Sequence, residues 1–138
     1  MPRVWPPVTT ITEVIKAPFS FDSDNDLYVA TRTREGSPVD YTTTDTLSDV
    51  VTIDVSPFDE TTIFIKNTGD TNSADVAVYT KVNATGTIEY EEVSLTTLAP
   101  GDVLKVTLNG RYARAIIRAK STTSGSPTTI RIEWIGGK

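Results

Sequence analysis

Short runs of β-branched residues recur along the chain between turn-forming residues, and this pattern restricts the fold more than any other feature. Thr makes up about one residue in six, and Val and Ile are frequent. Such side chains lose χ1 freedom in helices and fit a pleated, half-buried surface. Strands at this spacing build a sandwich or a barrel. Alternation predicts strands over residues 8–16 and 27–33, and a third on which Val51, Ile53 and Val55 share one face. Glu35-Gly-Ser-Pro38 reads as a turn, and Pro57 ends the third strand because it has no N–H for a ladder.

The second half of the chain is more regular. Ile63 and Ile65 alternate with Phe64 and Lys66, and Asn67-Thr-Gly-Asp70 turns the chain. Val76, Val78 and Val82 share a face with Thr80, opposite Ala77, Tyr79 and Lys81. Asn83-Ala-Thr-Gly86 reads as a hairpin loop. The returning strand places Ile88 and Tyr90 on one face and Val93 and Leu95 on the other. Leu98-Ala-Pro-Gly-Asp102 is a turn of the Pro-Gly type. Leu104, Val106 and Leu108 follow on one face, Asn109-Gly110 turns again, and Ile130, Ile132 and Trp134 line the last strand.

Residues 111–120 (RYARAIIRAK) hold good helix formers, and Tyr112, Ile116 and Ile117 fit a helical stripe. The same residues also alternate, with Ala113, Ala115, Ile117 and Ala119 opposite Tyr112, Arg114, Ile116 and Arg118. Their place between Asn-Gly and a Thr/Ser/Gly loop favours a strand. The expected fold is all-β, with eight or nine strands in a two-sheet sandwich of jelly-roll or immunoglobulin-like type. A length of 138 residues suits one domain. We expect an extended arm over 1–8 and a single sandwich over 9–138.

Charge and composition narrow the chemistry. The chain has no Cys and no His, so disulfides, the usual zinc ligands and the Ser-His-Asp or Cys-His nucleophile systems are absent. An enzyme is therefore not expected, and no cofactor is. The net charge of −5 opposes phosphate backbones, so nucleic acid is not an expected partner. Residues 1–70 carry 12 acids and 5 bases, whereas 71–138 carry 6 acids and 8 bases. Such a split favours head-to-tail contact between copies, although small domains vary this much by chance. No apolar run reaches the length of a membrane helix. The opening Met1-Pro-Arg-Val-Trp-Pro-Pro7 lacks the apolar core of a signal peptide, so synthesis in the cytoplasm is expected.

Candidate sites each have a plain alternative. Asp22, Asp24 and Asp26 alternate as in the start of a calcium loop, but Leu27 and Thr33 stand where that loop needs Gly and Glu. A solvated acidic turn fits better. Glu89, Glu91 and Glu92 suit the charged edge of a sheet better than a glycosidase pair. Arg111, Arg114, Arg118 and Lys120 form one basic cluster. It is a solvated face, or it meets acids on a neighbouring subunit or phosphate. In the arm, Pro2, Pro6 and Pro7 favour an extended chain that displays Trp5. A large aromatic so placed anchors in a partner's pocket, unless it folds back on its own sandwich.

Residues 63–69 (IFIKNTG), Val76-Ala-Val-Tyr79, Leu98-Ala-Pro-Gly-Asp102, Gly110-Arg-Tyr112 and Ile130-Arg-Ile-Glu-Trp134 together resemble the small all-β structural proteins of tailed-phage virions. The resemblance covers roughly residues 61–135. It implies a capsid decoration (cement) protein, commonly trimeric, or a small tail component. Its partners would be copies of itself and a major capsid or tail protein, and its location the virion. The alternative is a carbohydrate- or receptor-binding sandwich, for which Trp5, Tyr28, Tyr41, Tyr79 and Tyr90 are the candidate contacts.

Overall fold

The computed structural model of the protein describes residues 33–138. The expected arm, the strand at 8–16, the acidic loop at Asp22, Asp24 and Asp26, and all but the last residue of the strand at 27–33 lie outside the described residues. Nine strands follow one another: β1 (Thr33–Glu35), β2 (Val39–Thr42), β3 (Ser48–Asp54), β4 (Glu60–Asn67), β5 (Ala74–Lys81), β6 (Tyr90–Leu98), β7 (Val103–Asn109), β8 (Arg114–Ser121) and β9 (Thr129–Gly137). The described residues hold no helix, and every strand pairing is antiparallel.

One sheet runs β1–β9–β4–β7, with β2 also beside β9; the other runs β3–β8–β5–β6. The pairs nest in chain order. β5 pairs β6, β4 pairs β7, β3 pairs β8 and β2 pairs β9. Successive pairs fall in opposite sheets. A ribbon of four nested pairs wrapped in this way is a jelly roll, which decides between the two expected sandwich types.

The core lies between the sheets. Ile63, Ile65, Val106, Leu108, Ile130 and Ile132 come from one, and Ile53, Val76, Val78 and Ile117 from the other. All are buried, as their alternation with polar neighbours requires. Residues 114–121 are strand β8, with Ala115, Ile117 and Ala119 facing inward. Phe58 closes one end against Trp134, the ring centroids 6.0 Å apart.

Three local readings are corrected. Glu35-Gly-Ser-Pro38 does not reverse the chain. β1 and β2 run along the same edge of β9, and the register slips by one residue between Glu35↔Ile135 and Val39↔Ile132. The segment is a bulge in an edge strand, where Pro38 is tolerated. Gly36 there donates its N–H to the Trp134 carbonyl, and any Cβ on it would overlap the Trp134 ring. Val82 does not share the buried face of Val76 and Val78, because β5 ends at Lys81 and Val82 is 76% exposed. Ile88 precedes β6, and Leu95 is exposed, not inward. Two register shifts between β5 and β6 rephase the alternation, so that Val93 and then Leu98 face the core.

The turns follow their sequence signals. Asp102 donates its N–H to the Ala99 carbonyl, with Gly101 at φ +88° after Pro100, as a type II turn demands. The loops after β2, β4, β6 and β8 gather at one end of the sandwich. Asn67 ties that end together. Its Nδ2 donates to the carbonyls of Asn72 and Leu98 (2.9 Å each), and its Oδ1 accepts from Gly69 N–H (3.0 Å) and the Thr128 hydroxyl (2.9 Å). Nearby, the buried hydroxyls of Thr43 and Ser121 bond to each other at 2.9 Å, and Thr43 accepts from Thr128 N–H.

Candidate binding surfaces

The outer face of the β3–β8–β5–β6 sheet carries Arg114 and Arg118, two turns of the alternation apart on β8. Arg118 is held on three sides. Its Nε donates to Asp49 at 2.6 Å, and its two Nη atoms grip Glu89 at 2.8 and 3.0 Å. Its guanidinium carbon lies 4.6 Å from the centroid of the Tyr79 ring. The bidentate hydrogen bonds from Arg118 hold the Glu89 carboxyl below its ordinary pKa, against the opposing effect of burial. The same bonds, from Glu89 first and Asp49 second, raise the pKa of Arg118 itself. Arg114 reaches Asp54 at 3.1 Å and the Ala113 carbonyl at 2.8 Å. Arg111 stands apart, in the loop before β8, and pairs with Asp59 at 3.0 Å. Lys120 lies 3.7 Å from Asp75.

Each member of the basic cluster therefore meets an acid of the same chain. Such pairs on an open surface add little stability, but they cancel the field that an anion would follow. The acids came from positions that sequence spacing did not connect: Asp49 and Asp54 from β3, and Glu89 from the loop before β6. Glu89, Glu91 and Glu92 are each engaged by a neighbouring side chain, Glu89 by Arg118. Glu91 accepts from the Tyr79 hydroxyl and Glu92 from Thr80, and among the described residues β6 is an edge strand, the place where charge resists unwanted pairing.

Among the described residues Asp75 is the most enclosed carboxylate. Burial pushes its carboxyl up, but the Thr122 and Thr97 hydroxyls, at 2.6 and 2.7 Å, and the Lys120 charge together hold it below its ordinary value. A depressed folded pKa gives stability that is complete above about pH 4 and lost as pH falls through the folded value. Asp75→Asn removes this dependence. Between pH 5 and pH 2 the melting temperature of the variant should fall less steeply than that of the native chain; equal slopes would contradict the assignment. Among the described residues, no group of three or more acids, His or Cys is gathered to hold a metal ion.

The opposite sheet has a shallow groove of about 350 Å³ on its outer face. Phe64, Ile135, Pro38 and Thr62 line it together with the acids Glu35 and Glu133. Phe64 is 46% exposed and Ile135 42%. The alternation that buries Ile63 and Ile65 turns Phe64 outward, so an aromatic on the polar face was the signal for this groove in the sequence. A second apolar projection stands at the end opposite Asn67, where Val82 and Ile88 (83% exposed) flank the loop between β5 and β6. Of the expected aromatic contacts, Tyr41 packs against the core, Tyr79 lies under Arg118 and Tyr90 is open. Trp5, Pro6, Pro7 and Tyr28 are outside the described residues.

No protein-family model matches the chain, and none of the curated proteins matches it in sequence. Solved structures align with it. The SPBc2 prophage-derived protein YomS aligns over 83% of this chain and 100% of its own, with 14% identity and a TM-score of 0.53. A chain of the disulfide-linked pili that form Bacillus endospore appendages aligns over 77% of this chain and 87% of its own, with 15% identity and a TM-score of 0.49. A chain of infectious bursal disease virus, Gx strain, aligns over 76% of this chain and 32% of its own, with 7% identity and a TM-score of 0.41. With YomS, at 14% identity, the likeness is one of fold.

Proposed function

We propose that the chain is a non-enzymatic structural protein of a phage virion, which binds and stabilises a capsid lattice as a decoration protein or serves as a small tail component. The observation that carries this reading is the jelly-roll sandwich, matched by a prophage-derived protein over the whole of that protein's length. Jelly rolls recur in viral capsid domains and also in lectins, and a fold hosts more than one function. Two features favour the assembly role over a carbohydrate-binding one. Tyr41 and Tyr79, two of the aromatics that a sugar would stack on, are engaged within the sandwich. The basic cluster of Arg111, Arg114, Arg118 and Lys120 is paired within the chain, whereas apolar side chains such as Phe64 and Ile135 lie open.

In this reading Trp5, Pro6 and Pro7 anchor the chain on its neighbours, and a Pro-extended arm loses less entropy on docking. Particles purified on a density gradient from the phage that encodes the chain should contain it in fixed ratio to the major capsid or tail protein. Deleting residues 1–8, or Trp5→Ala alone, should sharply lower that ratio while leaving the melting temperature nearly unchanged. A chain found only outside particles would refute the virion role. A deletion that unfolds the domain would place the arm in the core instead.

A further inference from the structure

The two sheets expose four edges among the described residues, and three of them are irregular. The edge formed by β1 and β2 is broken by the bulge at Ser37 and Pro38. β3 carries a register shift between Asp49 and Val51, and β6 pairs β5 through two shifts and bears Glu91 and Glu92. These are the devices by which natural edges avoid pairing. β7 has none of the backbone irregularities. Its seven residues pair β4 in one unbroken register, from Glu60↔Asn109 to Lys66↔Val103. It contains no Pro, and its one charge is Lys105. Its other side has no strand partner among the described residues.

We propose that β7 is a self-association surface, pairing antiparallel with β7 of a second copy across a two-fold axis. A regular antiparallel edge complements itself, because the rotation presents each outward N–H to a C=O of the partner. The register follows from the side chains. Both inner faces must stay on the same side, so residues pair only with residues of the same face. Centring the axis on Lys105 would set the two lysines directly opposite each other. Centring it on Val106 instead uses all seven residues. Leu104 then meets Leu108 of the second copy and Lys105 meets Thr107, with no like charges opposed. The result is one continuous sheet through two sandwiches. This inference stands apart from the virion role, since such an edge would serve a binding module equally. It also differs from the trimer that the phage resemblance implies, because a two-fold contact closes as a dimer.

Thr107 faces solvent on β7, so T107K can be made without entering the core. The introduced ammonium would oppose Lys105 of the second copy, and the symmetry would repeat the clash. The double variant K105E/T107K would set an acid against a base at both places. Sedimentation of the full-length chain over a concentration series should show a monomer–dimer equilibrium. T107K should weaken the dimer about tenfold, and K105E/T107K should restore it. Hydrogen exchange should show alternate β7 amides protected only at concentrations where the dimer forms. A monomer at every concentration overturns the proposal. So does a dimer or trimer indifferent to T107K, and so does a monomer with all β7 amides protected, in which this chain itself covers the edge.

Discussion

Replacing Asn67 with Ala should destabilise the sandwich by about 3 kcal/mol or more. The side chain is fully buried and its four polar contacts are all satisfied within the protein. Truncation orphans the carbonyls of Asn72 and Leu98, the N–H of Gly69 and the hydroxyl of Thr128. A buried group left without its partner costs about 1–3 kcal/mol, which water entering the space partly offsets. Asn67→Asp is a sharper test, because the shape is kept and the Nδ2 donors become an acceptor. An acid facing two carbonyl oxygens in a buried site favours its protonated form, so its folded pKa should rise above the unfolded value. The linkage then runs opposite to that of Asp75. The variant should be closest to the native chain at low pH and should lose stability relative to it as pH rises through the carboxylate range. Denaturant melts at pH 3 and pH 7 check this; a constant difference between the two chains would show that Asn67 acts only through packing.

Ile130→Ala should cost about 2–5 kcal/mol, a large share of the stability of a domain this size. Ile130 is fully buried near the start of β9, between Tyr41 of β2 and Asn67 of β4. The loss combines the removed apolar surface with a cavity that the flanking strands cannot collapse into. Its neighbour Arg131 points the other way and pairs with Asp40 and Glu133 on an open surface. Arg131→Ala should leave the stability nearly unchanged. Equilibrium unfolding of both variants reads the difference, and equal losses would mean that β9 presents the wrong face to the core.

The strands of the second half were legible because their alternation was strict. Ile63 and Ile65, Val76 and Val78, and Ile130 and Ile132 each announce a face that one buried side requires. The helix-or-strand ambiguity of residues 111–120 yielded to their turn-forming flanks, and 114–121 form strand β8. What stayed hidden depended on pairing. The bulge at Ser37 and Pro38 looks like a turn until β9 is known to run beside both halves. The phase of β6 was obscured because its register shifts arise against β5 and not within its own sequence. Charge partners were equally invisible: Arg118 meets Asp49 and Glu89 from different elements, which no spacing along the chain relates. Asn67 read only as the start of a turn, although the turn is the least of its contacts.

The nesting of the pairs also bears on how the chain finds its fold. Thr80 faces Tyr90, Lys66 faces Val103, Ser48 faces Ala119 and Thr42 faces Thr129, so each pair encloses the one before it. The entropy of closing a loop grows with its length. It is therefore smallest for the hairpin of β5 and β6 and largest for β2 and β9, unless the inner pairs have already formed and shortened the open span. Assembly from the inside outward is the route of least loss, and it makes the fold rich in distant contacts and slow by nature. On the ribosome the consequence is sharper. β4 can pair β7, but among the described residues β1 and β2 have no strand to join until residues 129–137 emerge, so the earliest of the described strands wait for the latest.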